Sequence, residues 1–355
     1  MSEPTSRRKD AHLDLCATGE VEPAGASTLF AQVSLVHDAL PDLAVEDIDL
    51  GTRWMGKRLR APLLITGMTG GSDRAGKVNR ELAAAAEKCG IAFGMGSQRA
   101  MSESATWAES YRVRDVAPNT LLLGNIGLIQ AQKLGPKGCL GLMDRVGADG
   151  LCLHLNPAQE LTQPEGDRDF RGGLELVRAL ASELGEKLVV KETGCGISPQ
   201  VARRLVSAGV RNIDVSGAGG TSWVRVEALR ADGQAARLGE EMAAWGIPTA
   251  AATASVARAV GGKAMVIAAG GIRSGLEIAK ALALGADLAG AALPVFRAQQ
   301  AGGQAGAERE IEHLVQGLVR ALLLTGSRNV AELRKKPRVV SGELSNWIGS
   351  LAEVP

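Results

Sequence analysis

Apolar positions in this 355-residue chain gather into eight short runs, at approximately 62–68, 91–96, 121–127, 150–156, 187–193, 212–217, 265–271 and 288–294. Each run is unbroken rather than alternating, the pattern of a strand covered on both faces of a parallel sheet. Helical periodicity fills the intervals. Residues 74–89 place Val78, Leu82, Ala85 and Ala86 on one face, and residues 171–185 do so with Leu174, Val177, Leu180 and Ala181. Residues 274–286 repeat the pattern with Leu276, Ile278, Ala279 and Leu282, ahead of Gly285, a common C-cap residue. Eight strand–helix repeats predict an α/β fold, a TIM (β/α)8 barrel. A doubly wound open sheet is the structural rival. The chain then divides into an N-terminal extension (1–60), the barrel (61–325) and a C-terminal tail (326–355), all one domain. Residues 223–247 exceed a typical connection and read either as a lid or as a surface insertion. The run Arg334-Lys335-Lys336-Pro337-Arg338 reads as a solvated face.

Two glycine-rich turns follow late strands: Ser216-Gly217-Ala218-Gly219-Gly220-Thr221 and Gly270-Gly271-Ile272-Arg273. Glycine allows close backbone approach and positive φ, and helix starts present N–H groups to an anion. Two such turns in successive units predict a phosphate clamp.

Active residues of such a barrel sit at the C-terminal strand ends. Here those ends read Thr66-Gly67-Met68-Thr69, Ser97-Gln98-Arg99, Asn125, His154 to Glu160, and Lys191-Glu192. Every end offers hydrogen-bonding or charged groups while the strands are apolar, which predicts a ligand-lined mouth. Lys191 follows Leu188-Val189-Val190, so its stem is buried and its ammonium needs an anion, a flavin or phosphate in preference to a structural salt bridge. His154 reads equally as a satisfied core histidine or, with Asn156, Gln159 and Glu160, as part of a site. Glu160 is the candidate metal ligand, sharing Mg²⁺ with substrate phosphates, because no Asp/Glu/His cluster surrounds it. On the residues alone, Arg7-Arg8-Lys9-Asp10-Ala11-His12 reads as a solvated, disordered basic tail. The alternative is an arm that folds over the mouth and binds a polyanion.

Composition narrows the classes. Forty basic residues against 39 acidic ones give a net charge of +1, which gives no global bias towards nucleic acid or anionic membranes. No apolar run approaches the ~20 residues of a membrane span, and the N-terminus lacks a signal-peptide core. Five scattered cysteines with no CxxC pair argue against a zinc site or disulfide framework and favour a cytoplasmic enzyme.

Taken in order, Arg8-Lys9 with His12, Met68 to Gly71, Gly96 to Arg99, Asn125 to Gly127, His154 to Glu160, Gln163 to Asp167, Lys191-Glu192, Ser216 to Thr221 and Gly270 to Arg273 resemble the type 2, FMN-dependent isopentenyl-diphosphate isomerases over nearly the full chain. The resemblance implies a TIM barrel with FMN at its mouth. The FMN phosphate would lie near Gly271, Ile272, Arg273, Ala292 and Leu293. Thr66, Gly67, Met68, Thr69, Ser97, Asn125, Lys191, Ser216 and Thr221 would line the flavin. Arg8, Lys9, His12, Ser97, Gln98, Arg99, Asn156 and Gln159 would meet the substrate, with the N-terminal extension contributing to that site. Glu160 would bind Mg²⁺ on the diphosphate, and Gln159 and His154 would be catalytic. The implied reaction moves a double bond of isopentenyl diphosphate to give dimethylallyl diphosphate in isoprenoid biosynthesis. Reduced FMN would be the acid–base catalyst, NADPH would serve only as reductant, and a homo-oligomer, tetramer or octamer, would be usual.

Gln159 faces C2 on this reading, but a neutral amide is a weak base and the C2 base stays open. The rival activities are an FMN-dependent 2-hydroxy-acid oxidase or dehydrogenase, a nucleotide-oxidising barrel with Cys195 as nucleophile, and a non-catalytic phosphate-ligand binder.

Overall fold

The computed structural model describes residues 3–18 and 20–352, with side chains from Arg7 onward. All eight apolar runs become strands: β1 (Leu63–Ile65), β2 (Ala92–Gly94), β3 (Leu122–Gly127), β4 (Gly150–His154), β5 (Leu188–Lys191), β6 (Asn212–Asp214), β7 (Met265–Ala269) and β8 (Leu288–Ala291). They pair in parallel in chain order, and β8 closes on β1 through Ala289 opposite Leu63. The closed barrel excludes the open-sheet rival. The periodic segments are helices Asp73–Cys89, Gly173–Leu184 and Gly275–Ala283. The first is capped by the Ser72 hydroxyl, which accepts from Ala75 N, and by Gly90 in the left-handed conformation.

A short hairpin, Thr52–Trp54 with Lys57–Leu59, closes the N-terminal end of the barrel. Trp54 and Leu59 pack onto the inward layer formed by Leu64, Ala92, Leu123, Cys152, Val189, Ile267 and Leu288. The Trp54 indole N–H donates to Asn212 Oδ1 at 2.9 Å, so its polar atom is satisfied inside that layer.

Three segments are decided or detailed by the structure. The basic N-terminus is not a disordered tail: Glu3–Thr18 is an arm helix, and Arg8, Lys9 and His12 on it are buried. Residues 223–247 are not a bare loop but contain two packed helices, Trp223–Ala228 and Gly233–Glu241. The basic run near the C-terminus is partly engaged: Arg334 pairs with Asp287 at 2.7 Å, and Arg338–Val340 forms a strand against Val33–Leu35.

Candidate active site

The C-terminal strand ends open into one cavity of about 1190 Å³ of empty volume. Its wall holds Thr66, Gly67, Met68, Ser97, Arg99, Asn125, His154, Asn156, Gln159, Glu160, Lys191, Ser216, Thr221, Gly271, Ile272, Arg273, Ala292 and Leu293, with Arg8, Lys9 and His12 arriving from the arm helix. Gln98 and Thr69 are not on it. Gln98 is fully buried, accepting from Asn125 N at 2.9 Å and donating to Leu142 O at 3.1 Å, so it ties the end of β2 to β3. Thr69 spends its carbonyl on Gly96 N and Asn79 Nδ2.

One end of the cavity is built from backbone. A Cβ on Gly270 would stand 2.2 Å from Gly217 O, and one on Gly220 would stand 2.4 Å from Gly271 N. The two glycine turns therefore touch main chain to main chain, which no larger residue permits. Beside them the helical span Leu293–Leu324 begins, kinked at Gly302 and Gly303, with Pro at its start and unpaired first-turn N–H groups expected of any helix. Arg273 closes the rim. This donor set fits a phosphate monoester.

Midway, His154 Nδ1 lies 2.8 Å from Asn125 Oδ1. Asn125 Nδ2 donates to Met95 O at 3.0 Å, which fixes the amide orientation. His154 therefore carries its proton on Nδ1, leaving Nε2 as an acceptor. Burial, then the charges of Lys191 and Lys9, hold its pKa down at about 3, so the ring is neutral at neutral pH. The Lys191 ammonium donates to Glu192 O and has no ion pair within 4 Å among the described residues. The walls here, with Thr66, Ser97, Asn125, Lys191 and Ser216, fit the polar edge of an isoalloxazine between the apolar Met68 and Leu293.

The opposite end is cationic. Arg8 pairs with Glu165 at 3.2 Å and Arg99 with Glu103 at 2.8 Å. Lys9 is 8% exposed and has no salt bridge within 4 Å among the described residues. Burial, then Arg8, lower its pKa to about 7. Below it, Pro157–Thr162 forms a short helix with proline in its first turn, presenting Gln159 and Glu160. Glu160 accepts from Asn156 Nδ2 at 3.2 Å and from Asp167 N at 2.9 Å. No group of three or more His, Cys, Asp or Glu gathers among the described residues. A cation here would take one carboxylate from the protein and oxygens from its ligand.

Sequence reasoning missed Glu227. It is fully buried, and its Oε1 accepts from Gln159 Nε2 at 3.1 Å while Oε2 pairs with Arg230 at 2.5 Å. His12 Nε2 lies 3.2 Å from the same Oε1 but is not aligned for a hydrogen bond. Burial alone would raise the Glu227 pKa, but His12, Arg230 and Gln159 outweigh it and hold it at about 2. Burial drives His12 down to about 4, so the pair is a carboxylate beside a neutral imidazole. A signal existed. Ser222 caps this helix by accepting from Arg225 N, and Trp223 and Glu227 stand at i, i+4. Trp223 also lines the cavity, edge-on to His12 with ring centroids 5.2 Å apart.

Known proteins place this arrangement. The profile of the FMN-dependent dehydrogenase family matches residues 155–340. An isopentenyl-diphosphate delta-isomerase of Pyrococcus furiosus is 43% identical over 353 residues, covering 97% of this chain and 89% of that protein. One from a Synechococcus species is 48% identical over 290 residues, covering 81% of this chain and 83% of that protein. Among solved structures, a mandelate oxidase variant with a C4a-OH-FMN adduct superposes with a TM-score of 0.65 at 20% identity, covering 94% of this chain and 99% of that one. That last likeness concerns the fold alone. The cradle, the polar mid-wall and the full-length likeness agree, and the chain belongs to the type 2, FMN-dependent family of isopentenyl-diphosphate delta-isomerases.

Proposed function

We propose that this protein interconverts isopentenyl and dimethylallyl diphosphate for isoprenoid biosynthesis, with reduced FMN in the mid-cavity and Mg²⁺ between Glu160 and the diphosphate. The observation that carries the reading is Lys9. A buried ammonium with no carboxylate within 4 Å among the described residues, beside Arg8 and Arg99, calls for a polyanion. The glycine cradle at the far end fits a second phosphate, that of FMN, so one cavity has two anion-binding ends. NADPH serves as initial reductant. A cytoplasmic homo-oligomer, tetramer or octamer, belongs to the same reading.

Bound in its reduced form, the flavin would supply an electron-rich ring able to exchange a proton at N5, in a redox-neutral cycle. The protein's own residues do the rest. Arg8, Lys9 and Arg99 pin the diphosphate, and that binding energy orients the hydrocarbon chain. Gln159 meets C2. An amide is a weak base, but a proton leaving C2 next to a tertiary cationic centre needs only a weak acceptor, and the carboxylate behind the amide can carry it on. As Gln159 Oε1 takes a proton, Nε2 can release one to Glu227, which is ionised and 3.1 Å away. Neutral His154 offers Nε2 as an acceptor, a positioning role rather than that of a strong acid.

The hydroxy-acid oxidase reading lacks its chemistry here. The turn after β6, Ser216 to Thr221, has neither the histidine nor the arginine that α-proton abstraction from a hydroxy acid needs.

The deciding measurement is an anaerobic assay with isopentenyl diphosphate, reduced FMN and Mg²⁺. Dimethylallyl diphosphate should form. Tight flavin binding with no product would leave a phosphate-ligand binder. A second expectation concerns Glu160→Gln. The Mg²⁺ concentration for half-maximal rate should rise about tenfold or more, as one charged ligand is lost, with the flavin absorbance spectrum unaltered. An unchanged Mg²⁺ titration would remove Glu160 from the metal.

A further inference from the structure

Residues 20–28 follow the arm helix and pack against the glycine cradle at one end of the cavity. Glu22 Oε1 accepts from Arg273 Nη2 at the rim of the glycine cradle. Glu22 Oε2 lies 3.8 Å from Arg297 Nη1, in the first part of the kinked helical span Leu293–Leu324. Arg297 Nε donates at 3.3 Å to Cys16 O, in the last turn of the arm helix. The rest of the segment is fastened. Val21 is fully buried and its carbonyl accepts from Ser222 N at 2.9 Å. Thr28 O accepts from Ala250 N at 2.9 Å, and a Cβ on Gly219 would stand 2.1 Å from Thr28 N. A continuous chain of contacts thus runs Arg273–Glu22–Arg297–Cys16, from the cradle to the helix that carries Arg8, Lys9 and His12.

We propose that Glu22 is a positioning residue that couples occupancy of the cradle by the FMN phosphate to docking of the arm helix over the mouth. The proposal rests on the placement of that phosphate at the cradle. A guanidinium has five donors, so Arg273 can serve a phosphate and Glu22 together. A phosphate that immobilises Arg273 removes the entropy Glu22 otherwise loses in holding it. Glu22 then holds Arg297, and Arg297 holds the end of the arm. Riboflavin fills the ring site without a phosphate and leaves Arg273 unanchored. By linkage, arm docking tightens FMN by the same factor. The three charged side chains are 31–36% exposed, so each pair alone is weak and the effect resides in the coupling.

The test is hydrogen exchange of the arm-helix amides in the full chain, FMN-depleted and then saturated with FMN or riboflavin, alongside flavin-fluorescence titrations. FMN is expected to slow exchange of residues 3–18 about tenfold, within the usual range of such couplings. Riboflavin is expected to leave it unchanged. Glu22→Gln should still bind FMN, weaker than wild type by no more than that same factor of about ten, yet lose the FMN-dependent slowing. Equal slowing by riboflavin would overturn the coupling, as would full slowing in Glu22→Gln. If that variant fails to fold, the FMN–riboflavin comparison on the wild-type chain decides. A wild-type chain that binds neither flavin would instead overturn the cofactor placement itself.

Discussion

Lys9→Met is expected to stabilise the ligand-free protein while weakening substrate binding about ten- to a hundredfold, the usual value of a charge-assisted hydrogen bond. Methionine keeps the length of the buried stem and removes the ammonium. The sign follows from linkage. In the unfolded chain the group titrates near 10.5, and in the fold near 7. The unfolded state therefore binds more protons between those values, and stability rises with pH across that window. The penalty is fully present below about pH 7 and vanishes above the unfolded value. At neutral pH its removal is worth on the order of a few kcal/mol. Thermal melts of wild type and variant at pH 7 and pH 10 check it: the gap between them should narrow at the higher pH. A variant that melts lower at pH 7 would mean that Lys9 has a partner in the free protein. The same titration predicts the substrate's behaviour. Above about pH 7, binding must take up a proton, so the wild-type KM should climb with pH while that of the variant stays flat. Stability is given up at this position for affinity towards an anion.

Glu227→Gln should lower turnover by roughly a hundred- to ten-thousandfold, the range for loss of a proton acceptor, with flavin binding and its spectrum preserved. The replacement keeps the shape but puts an amide against the Gln159 amide and leaves Arg230 without its carboxylate. Gln159→Ala should lose most turnover too, again with the flavin retained. The two effects are expected not to add, because both residues act in one proton path. Rates of isomerisation and of deuterium entry at C2 in heavy water measure this. Wild-type exchange at C2 in Glu227→Gln would exclude the carboxylate from that path, and a Gln159→Ala variant working at the normal rate would exclude the amide.

The barrel was legible because its signal is local. Each strand is an unbroken apolar run, and the glycine turns declare themselves in composition. The polar strand ends were legible for the same reason, apart from Gln98 and Thr69. Those two occupy the same strand ends, and the sequence alone does not tell which of a pair of neighbours turns inward. What stayed hidden depends on tertiary closure. Arg8, Lys9 and His12 sit in a polar segment whose helix has little amphipathic character of its own, so local pattern reads as solvated tail. It is buried because the cavity rim accepts it: Asp10 takes a hydrogen bond from Ser72 at 2.6 Å and Asp14 pairs with Arg74 at 2.5 Å. Glu227 was hidden within a stretch judged by its length. Its neighbours Val224 and Val226 are buried on a short helix that is held by contacts with Pro157–Thr162 rather than by its own periodicity.

The Trp54 hairpin has a consequence for traffic. With the barrel floor stoppered by that indole and its apolar collar, reactant and product use the mouth where the prosthetic group would lie, and the arm helix lines it. Each cycle then requires that mouth to be cleared twice, once for arrival and once for departure. The pace of the enzyme at high substrate would follow how quickly sixteen residues swing aside rather than how quickly a hydrogen ion hops.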